Sequence, residues 1–304
     1  MTDPTIQIAV RDAAARKLAN TTKTPVQMPA ITPRWLTAVL PWKPVEAGVL
    51  RVNRVRDDKP VEVTCGLNED NVAPNGFINY DENPREYTLN AISTVLNVNT
   101  HIADLFSSPH DQVREQLRLT IESVKERQES ELLNNFDYGL LNQAVPSMRI
   151  PTRKGQPTPD DLDELISKVW KEPAFFIAHP RAIAAFGREC TRRGVPPAIV
   201  SLFGSQFLTW RGLPLVPSDK VPVEGNKTSI LLLRAGESKQ GVVGLFQPGL
   251  SGEQSPGLSV RFMGLDCNAV ASYLVSLYCS AAVLTPDALG ILENVELGYY
   301  HEYK

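Results

Sequence analysis

The stretch ITPRWLTAVLPWKPVEAGVLRVNRV, residues 31–55, decides how the rest of the chain is interpreted. Prolines recur through residues 24–50 and exclude a continuous helix or a central strand there. Large apolar side chains lie between these prolines, among them Trp35, Leu36 and Trp42. An extended segment cannot bury such side chains by itself, so either the same subunit or a neighbouring one must cover them. The residues alone leave both readings open.

Strand signals follow this N-terminal arm. Residues 45–55 and 61–65 are β-prone, and the polar residues 56–60 between them favour a hairpin turn. Residues 86–98 alternate as a strand that is contacted on two faces. Together these runs predict a long two-stranded projection that returns to a core.

A long helix is predicted next. Ser108, Pro109 and Asp111 form a helix start, with Ser as the N-cap and Pro in the first helical position. Apolar residues then continue at helical spacing to Asn142. An unbroken helix of this length measures about 50 Å, which is longer than a compact domain is wide. We therefore expect it to span an elongated subunit.

The second half of the chain alternates between helix and strand patterns. A helix start at Thr158 follows a predicted domain boundary at residues 155–157. Residues 269–283 follow a period of two and predict one long strand. Between them we predict a strand at 175–178, a helix at 180–193 stopped by Gly194, strands near 207–210 and 213–216 joined by a turn at Arg211-Gly212, a strand near 229–233, and β runs at 241–246 and 258–265.

Composition limits the functional class. The chain has 304 residues and a net charge of −3, so it is long enough for a sizeable core and lacks the positive charge of a nucleic-acid binder. No apolar run approaches the roughly 20 residues of a membrane helix, and the first residues lack the apolar core of a secretory signal. We expect a cytoplasmic protein with no membrane partner.

Motifs for catalysis or metal binding are absent from the sequence. It contains no phosphate loop, dinucleotide fingerprint, nucleophile elbow or HExxH zinc motif. The four cysteines form no CxxC pair, so we expect buried reduced thiols. A pairing of Cys190 with His179 stays open, because such partners meet only in space. We predict no enzymatic activity, cofactor or metal site.

The order of elements, together with particular strings, identifies a family. The strings ITPRWL (31–36), WKPVEAGVLRVNRV (42–55), WRGLPLVPSDKVP (210–222) and LTPDALG (284–290) resemble those of family 2A encapsulins, the cysteine-desulfurase-loaded shells with the Hong Kong 97-type phage capsid fold. The resemblance covers nearly the whole chain. It implies an α+β capsid fold with an N-terminal arm, an extended loop, a spine-helix P-domain and an α/β A-domain. The expected boundaries are 1–44 for the arm, 45–86 for the loop, 87–155 with 259–304 for the P-domain, and 156–258 for the A-domain.

The same resemblance implies the function. About sixty copies would close into an icosahedral nanocompartment around a cysteine desulfurase, for sulfur metabolism or storage. The partners would be the chain itself and that cargo enzyme. No family motif assigns catalytic or cargo-binding residues.

Two groups of residues are singled out as contact sites. Trp35, Leu36 and Trp42 are predicted to contact a neighbouring subunit. By the same resemblance, the segment that follows the 180–193 helix is expected to approach the fivefold pore with Arg192, Arg193, Gly194, Val195 and Pro196. The alternative is that the two arginines only favour the helix C-terminus and face solvent or an acidic neighbour.

Two other functional classes remain open at this level. A phage major capsid protein would share the fold but package DNA, and a cytosolic enzyme would form only a small oligomer. Particle size separates the shell from the small enzyme.

Overall fold

The computed structural model describes residues 32–53, 76, 78–99, 112–268 and 270–300. The helices are α1 (Trp35–Val39), α2 (Gln112–Asn134), α3 (Leu140–Gln143), α4 (Pro159–Lys168) and α5 (Pro180–Arg192), with 3₁₀ turns at Pro146–Met148 and Pro286–Ala288. The strands are β1 (Trp42–Pro44), β2 (Val49–Val52), β3 (Arg85–Thr88), β4 (Asn90–Asn99), β5 (Arg149–Pro151), β6 (Phe175–Ala178), β7 (Ala198–Leu202), β8 (Ser205–Trp210), β9 (Leu213–Pro217), β10 (Lys227–Leu233), β11 (Val242–Phe246), β12 (Glu253–Ser255), β13 (Leu258–Leu265), β14 (Val270–Val283) and β15 (Leu289–Glu296).

The first sheet is organised around the predicted long strand. The alternating sequence of β14 forms a 14-residue strand that pairs antiparallel with β4, β11 and β13. β1 joins the edge of β11 in parallel, and β12 extends the other side from β13. β2 and β3 form a separate antiparallel ribbon at the base of the predicted projection. The predicted strand partner at residues 61–65 lies outside the described residues.

The second sheet carries the α/β half of the chain. Its strand order is β5-β15-β10-β6-β9-β8-β7. All four residues of β6 are buried, as expected for a central strand covered on both faces. The predicted turn between β8 and β9 is confirmed: Arg211 and Gly212 both have positive φ, which a tight hairpin turn requires.

The spine helix α2 connects the two sheets. Its middle turns pack Leu117, Ile121 and Val124 against β13 and β14 of the first sheet. Its last turn buries Leu132 and Leu133 completely, in a cluster shared with strands of both sheets. The opposite face of the second sheet is covered by α4 and α5.

The prediction of an unbroken helix to Asn142 is wrong. α2 ends at Asn134, so the described helix is about 34 Å long rather than about 50 Å. The Asn135 side chain accepts a hydrogen bond from the backbone N–H of Asp137 at 2.9 Å, which competes with helical bonding. Phe136 consequently points outward and is 88% exposed. The predicted helix start at residues 108–111 lies outside the described residues.

Strand pairing crosses the expected boundary between residues 258 and 259 in both directions. β11 and β12 lie within the expected A-domain range 156–258, yet they belong to the first sheet. β15 lies within the expected P-domain range 259–304, yet it pairs with β10 in the second sheet. The boundaries follow from the family resemblance, and the local sequence pattern does not specify which strands pair.

The start of α4 follows the predicted capping pattern. The Thr158 hydroxyl accepts a hydrogen bond from the Asp161 backbone N–H at 3.2 Å. The Asp161 carboxylate accepts one from the Thr158 backbone N–H at 3.0 Å. Both residues are buried, so each bond satisfies a backbone donor that water does not reach.

Replacing the cap should destabilise the chain measurably. We expect Thr158→Ala to lower the free energy of unfolding by about 1 kcal/mol. The variant removes the hydroxyl that accepts from the Asp161 N–H and leaves only the Thr158 carbonyl oxygen, 3.1 Å away, as acceptor. Chemical denaturation should show this loss. Ser167→Ala on the exposed side of the same helix is the control and should change stability little. Equal effects of the two variants would contradict the capping role.

Candidate assembly surfaces

The predicted inter-subunit residue Leu36 is buried within its own chain. It lies on α1, has no exposed surface, and belongs to the cluster that contains Leu132 and Leu133. A neighbouring subunit is therefore not needed to cover Leu36, and the inter-subunit prediction requires correction at this residue. The prolines on either side limit α1 to five residues, but this short helix still packs on the cluster through Leu36.

Trp35 and Trp42 are half-buried against the same chain. The Trp35 ring meets Phe207 edge-on, with ring centroids 5.1 Å apart, and lies 6.4 Å from the ring of Phe203. The Trp42 indole N–H donates to the Thr37 carbonyl oxygen at 2.9 Å. Each ring keeps an exposed part, so an inter-subunit contact of Trp35 and Trp42 stays a prediction.

Gly244 on β11 makes room for the Trp42 ring. The two residues are opposite each other in the β1–β11 pairing. A Cβ atom at Gly244 would lie 2.6 Å from Cε3 of Trp42, closer than such atoms can approach. Glycine at this position therefore allows the end of the described arm, here called the arm segment and formed by residues 32–44, to lie flat on the first sheet through β1.

A side chain at Gly244 should displace the arm segment. We expect Gly244→Ala to destabilise the chain by about 1–3 kcal/mol, the usual cost of overpacking. Thermal or denaturant unfolding would measure it. Gly76→Ala is the control, since a Cβ there meets nothing within 4 Å. Unchanged stability of Gly244→Ala would show that Trp42 is not held against β11.

The predicted pore segment begins as the sequence indicates. α5 ends at Arg192, and Gly194 adopts a φ of +70°, the left-handed conformation that favours glycine. The Val195 N–H donates to the Cys190 carbonyl at 3.0 Å and the Gly194 N–H to that of Thr191 at 3.1 Å. This pair of bonds is a Schellman motif, which turns the chain sharply away from the helix.

The two arginines of this segment are already paired within the chain. Arg192 and Arg193 bind the two oxygens of Glu189 at 2.8 and 2.9 Å, and Arg193 also contacts Asp160 at 3.2 Å. Glu189 is buried, and the two guanidinium groups are its ion-pair partners. Both arginines therefore face acidic neighbours, as in the alternative named above, and the group carries no net positive charge. A position of residues 192–196 at a pore stays a prediction.

The end of the described chain is held on α5, a contact that the sequence did not reveal. Arg188 lies over the Tyr300 ring at 4.5 Å and Arg192 over the Tyr299 ring at 5.7 Å. Arg188 also donates to the Leu297 carbonyl oxygen at 3.0 Å. Nothing in residue spacing predicts that the aromatic pair meets this helix.

Beyond α5 the chain exposes an apolar surface, here called the hairpin patch and formed by Val195, Ile199 and Phe203. Ile199 is 63% and Phe203 66% exposed. β7 is the edge strand of the second sheet, so unpaired backbone groups accompany these side chains. The sequence reading missed β7, which follows two consecutive prolines. Edge strands of this kind mark protein contact sites.

A second apolar surface lies at the far end of β13. It is here called the sheet-end patch and consists of Phe262, Met263 and Leu265, each more than half exposed. Leu258 at the start of the same strand is buried under α2, so exposure increases along the strand. The Phe262 ring lies 5.3 Å from that of Tyr273 on the neighbouring strand. The hairpin patch and the sheet-end patch are thus two separate apolar surfaces among the described residues.

The described thiols are poorly suited to nucleophilic chemistry. Burial raises the pKa of the Cys190 thiol to about 11 and that of Cys279 to about 12, so both stay protonated at neutral pH. His179 caps α5, its Nδ1 accepting from the Arg181 N–H at 3.1 Å. Cys267 is exposed, so the expectation of burial is wrong for it, and Cys65 lies outside the described residues. Among the described residues, no three His, Cys, Asp or Glu side chains gather as a metal site.

Comparison with known proteins assigns this arrangement to a family. A family model described as type 2A encapsulin shell protein, SrpI-like, matches residues 48–299. The type 2A encapsulin shell protein SrpI of Synechococcus elongatus is 65% identical over 304 residues, which is 100% of this chain and 99% of that protein. The chain belongs to the type 2A encapsulin shell proteins. The shell protein of Mycolicibacterium paratuberculosis is 60% identical, over 97% of this encapsulin chain and 97% of its own length.

Solved structures agree with this assignment. The chain of the holo-SrpI encapsulin complex of Synechococcus elongatus has a TM-score of 0.85 at 64% identity, covering 98% of this chain and 100% of that one. The capsid of a native GTA particle has a TM-score of 0.62 at 12% identity, covering 97% of this chain and 96% of that one, which shows a shared fold only. The expected α+β fold of the Hong Kong 97 capsid type is confirmed.

Family membership establishes the class of function. The encapsulin chain is a structural shell protein that forms a nanocompartment by assembly with copies of itself, and it is not an enzyme. The alternative of a cytosolic enzyme that forms a small oligomer is thereby excluded. Phage major capsid proteins have the same fold but do not belong to this family. Within the ranges that the structure describes, no helix is both long and apolar enough to cross a bilayer.

Proposed function

We propose that this encapsulin closes into an icosahedral shell of about sixty copies, near 2 MDa for subunits of 33.5 kDa, around a cysteine desulfurase in the cytoplasm. The observation that carries the proposal is the nearly full-length match to a chain of the holo-SrpI encapsulin complex. The resemblance to desulfurase-loaded shells supports the cargo and a role in sulfur metabolism or storage.

The two apolar patches are the proposed contacts between subunits. The hairpin patch and the sheet-end patch lie on different sheets, so one chain can contact different neighbours through them. Covering these patches removes apolar surface from water, which lowers the free energy by about 25 cal/mol for each Å² buried. Trp35 lies beside Phe203 of the hairpin patch, and this supports a shared inter-subunit surface for the arm.

The proposed division of the subunit follows the resemblance. Residues 1–44 form the arm, 45–86 the extended loop, 87–155 with 259–304 the P-domain, and 156–258 the A-domain. The sheet pairing supports moving β11 and β12 to the P-domain and β15 to the A-domain. The resemblance supports a position of residues 192–196 at the fivefold pore. Because both arginines are paired with Glu189 and Val195 is exposed, we propose an uncharged lining there.

Removing residues 1–31 tests the first part of the arm and keeps the arm residues of the described core. Leu36 and Leu40 stay in place, so the subunit body should still fold. We expect the assembled fraction, measured by light scattering after size-exclusion chromatography, to fall several-fold. Removal of residues 301–304 is the control. Normal assembly without residues 1–31 would refute an inter-subunit role for this part of the arm.

Co-expression tests the cargo. A cysteine desulfurase produced with this chain should elute with the particles and resist added protease, because the shell excludes the protease. An unrelated soluble enzyme of similar mass, expressed in the same way, should do neither. Particles that form normally but leave the desulfurase unprotected would refute the proposed cargo and would still support the proposed shell.

A further inference from the structure

Two buried carboxylates lie where the spine helix meets the arm and the second sheet. Glu126 and Glu129 are three residues apart on α2, so they share one face of the helix. They are 6% and 1% exposed. Carboxylates are seldom this buried unless they are paired, so their partners decide whether each is charged.

Glu126 is well supplied with donors. It binds Lys220 Nζ at 2.9 Å, lies 3.6 Å from Arg34 Nη1, and accepts the Thr32 backbone N–H at 2.7 Å and its hydroxyl at 3.0 Å. Arg34 also binds Glu122, one turn earlier, at 2.5 Å. Thr32 and Arg34 lead into α1, so Glu126 fixes the arm segment on the spine helix.

Glu129 has no such supply. Its Oε1 lies 2.6 Å from the Ser218 hydroxyl, in the loop that follows β9. Its Oε2 is buried, and no partner for it occurs among the described residues. Lys220 binds Glu126 and Asp219, each at 2.9 Å, and its charge also acts on Glu129. Among the described residues, no salt bridge joins Lys220 to Glu129, so Glu129 has no cation of its own.

Protonation of the Glu129 carboxyl group removes the need for a cation partner. A protonated Glu129 can donate to the Ser218 oxygen, and its orphaned Oε2 is then a neutral carbonyl, which costs less to bury than half of a carboxylate. An ionised Glu129 instead places a second negative charge beside Glu126 and Asp219. That charge competes for Lys220.

We propose that Glu129 is a proton-controlled latch: protonated, it leaves Lys220 to Glu126 and holds the arm segment on the spine helix; ionised, it draws Lys220 away and loosens that segment. The latch sits in one subunit, so it depends neither on the number of copies nor on the cargo. It makes the attachment of the arm sensitive to pH near neutrality.

The charges around the group set the direction of the effect. Burial has the largest effect and raises the pKa of Glu129, and the nearby charges of Glu126 and Asp219 raise it further. The hydrogen bond from Ser218 and the charge of Lys220 lower it. The resulting pKa is about 7 instead of 4.5. Asp219 interacts in turn with His179. Since the folded chain holds this proton more tightly than the unfolded chain, its stabilising effect is complete below about pH 4.5 and is lost as the pH rises to about 7.

Assembled full-length particles allow a direct test with Glu129→Gln, a neutral side chain of the same shape. From pH 5.5 to 8, the wild-type melting temperature should fall by about 5 °C more than that of Glu129→Gln, at one scan rate. Hydrogen exchange at residues 32–40 should be several-fold faster in the wild type than in the variant at pH 8, and equal at pH 5.5. Comparison at equal pH cancels the intrinsic exchange rate.

Two further variants make the result decisive. Glu115→Gln, an exposed carboxylate on the same helix, is the control and should follow the wild type. Ser218→Ala removes the hydrogen bond that lowers the pKa of Glu129. The pH at which the arm segment loosens should therefore rise in this variant. Ser218→Ala also provides the test if Glu129→Gln fails to fold. Identical pH profiles for the wild type and Glu129→Gln, or an unmoved transition in Ser218→Ala, would overturn the latch. Failure to assemble would instead count against the proposed shell.

Discussion

The last turn of the spine helix is buried between the two main sheets, and the arrangement of the subunit depends on this burial. Leu132 and Leu133 have no exposed surface and share one cluster with β6 and β10 of the second sheet and β14 of the first. Leu36 completes the cluster from the arm side. Arm, helix and both sheets therefore share a core, although they are distant in sequence.

That shared core explains why apolar surface is left outside. The helix covers the beginning of β13 but not its end, and the hairpin of β7 and β8 extends past the helices of the second sheet. A chain that acted alone would gain by burying these surfaces. We propose that they meet copies of the same chain, so that burial of apolar surface would stabilise both the fold of one subunit and the assembly of many.

Local signals in the sequence predicted the elements well where capping or periodicity was strong. β6 lies at the predicted residues, α5 differs by one residue, and β14 ends at the predicted residue. The end of α2 was missed because the side chain of Asn135 competes with helical bonding. Sheet membership and the burial of Leu36 depend on contacts between distant residues, which no local pattern contains. The family, and with it the function, came from whole strings of sequence rather than from any site residue.

The most direct test is a reconstruction of the assembled particle by electron cryomicroscopy at side-chain resolution. The account predicts that Ile199 and Phe203, and likewise Phe262 and Met263, lose most of their exposed surface against neighbouring subunits. A closed shell in which both patches still face solvent would contradict the claim that these apolar surfaces hold the subunits together.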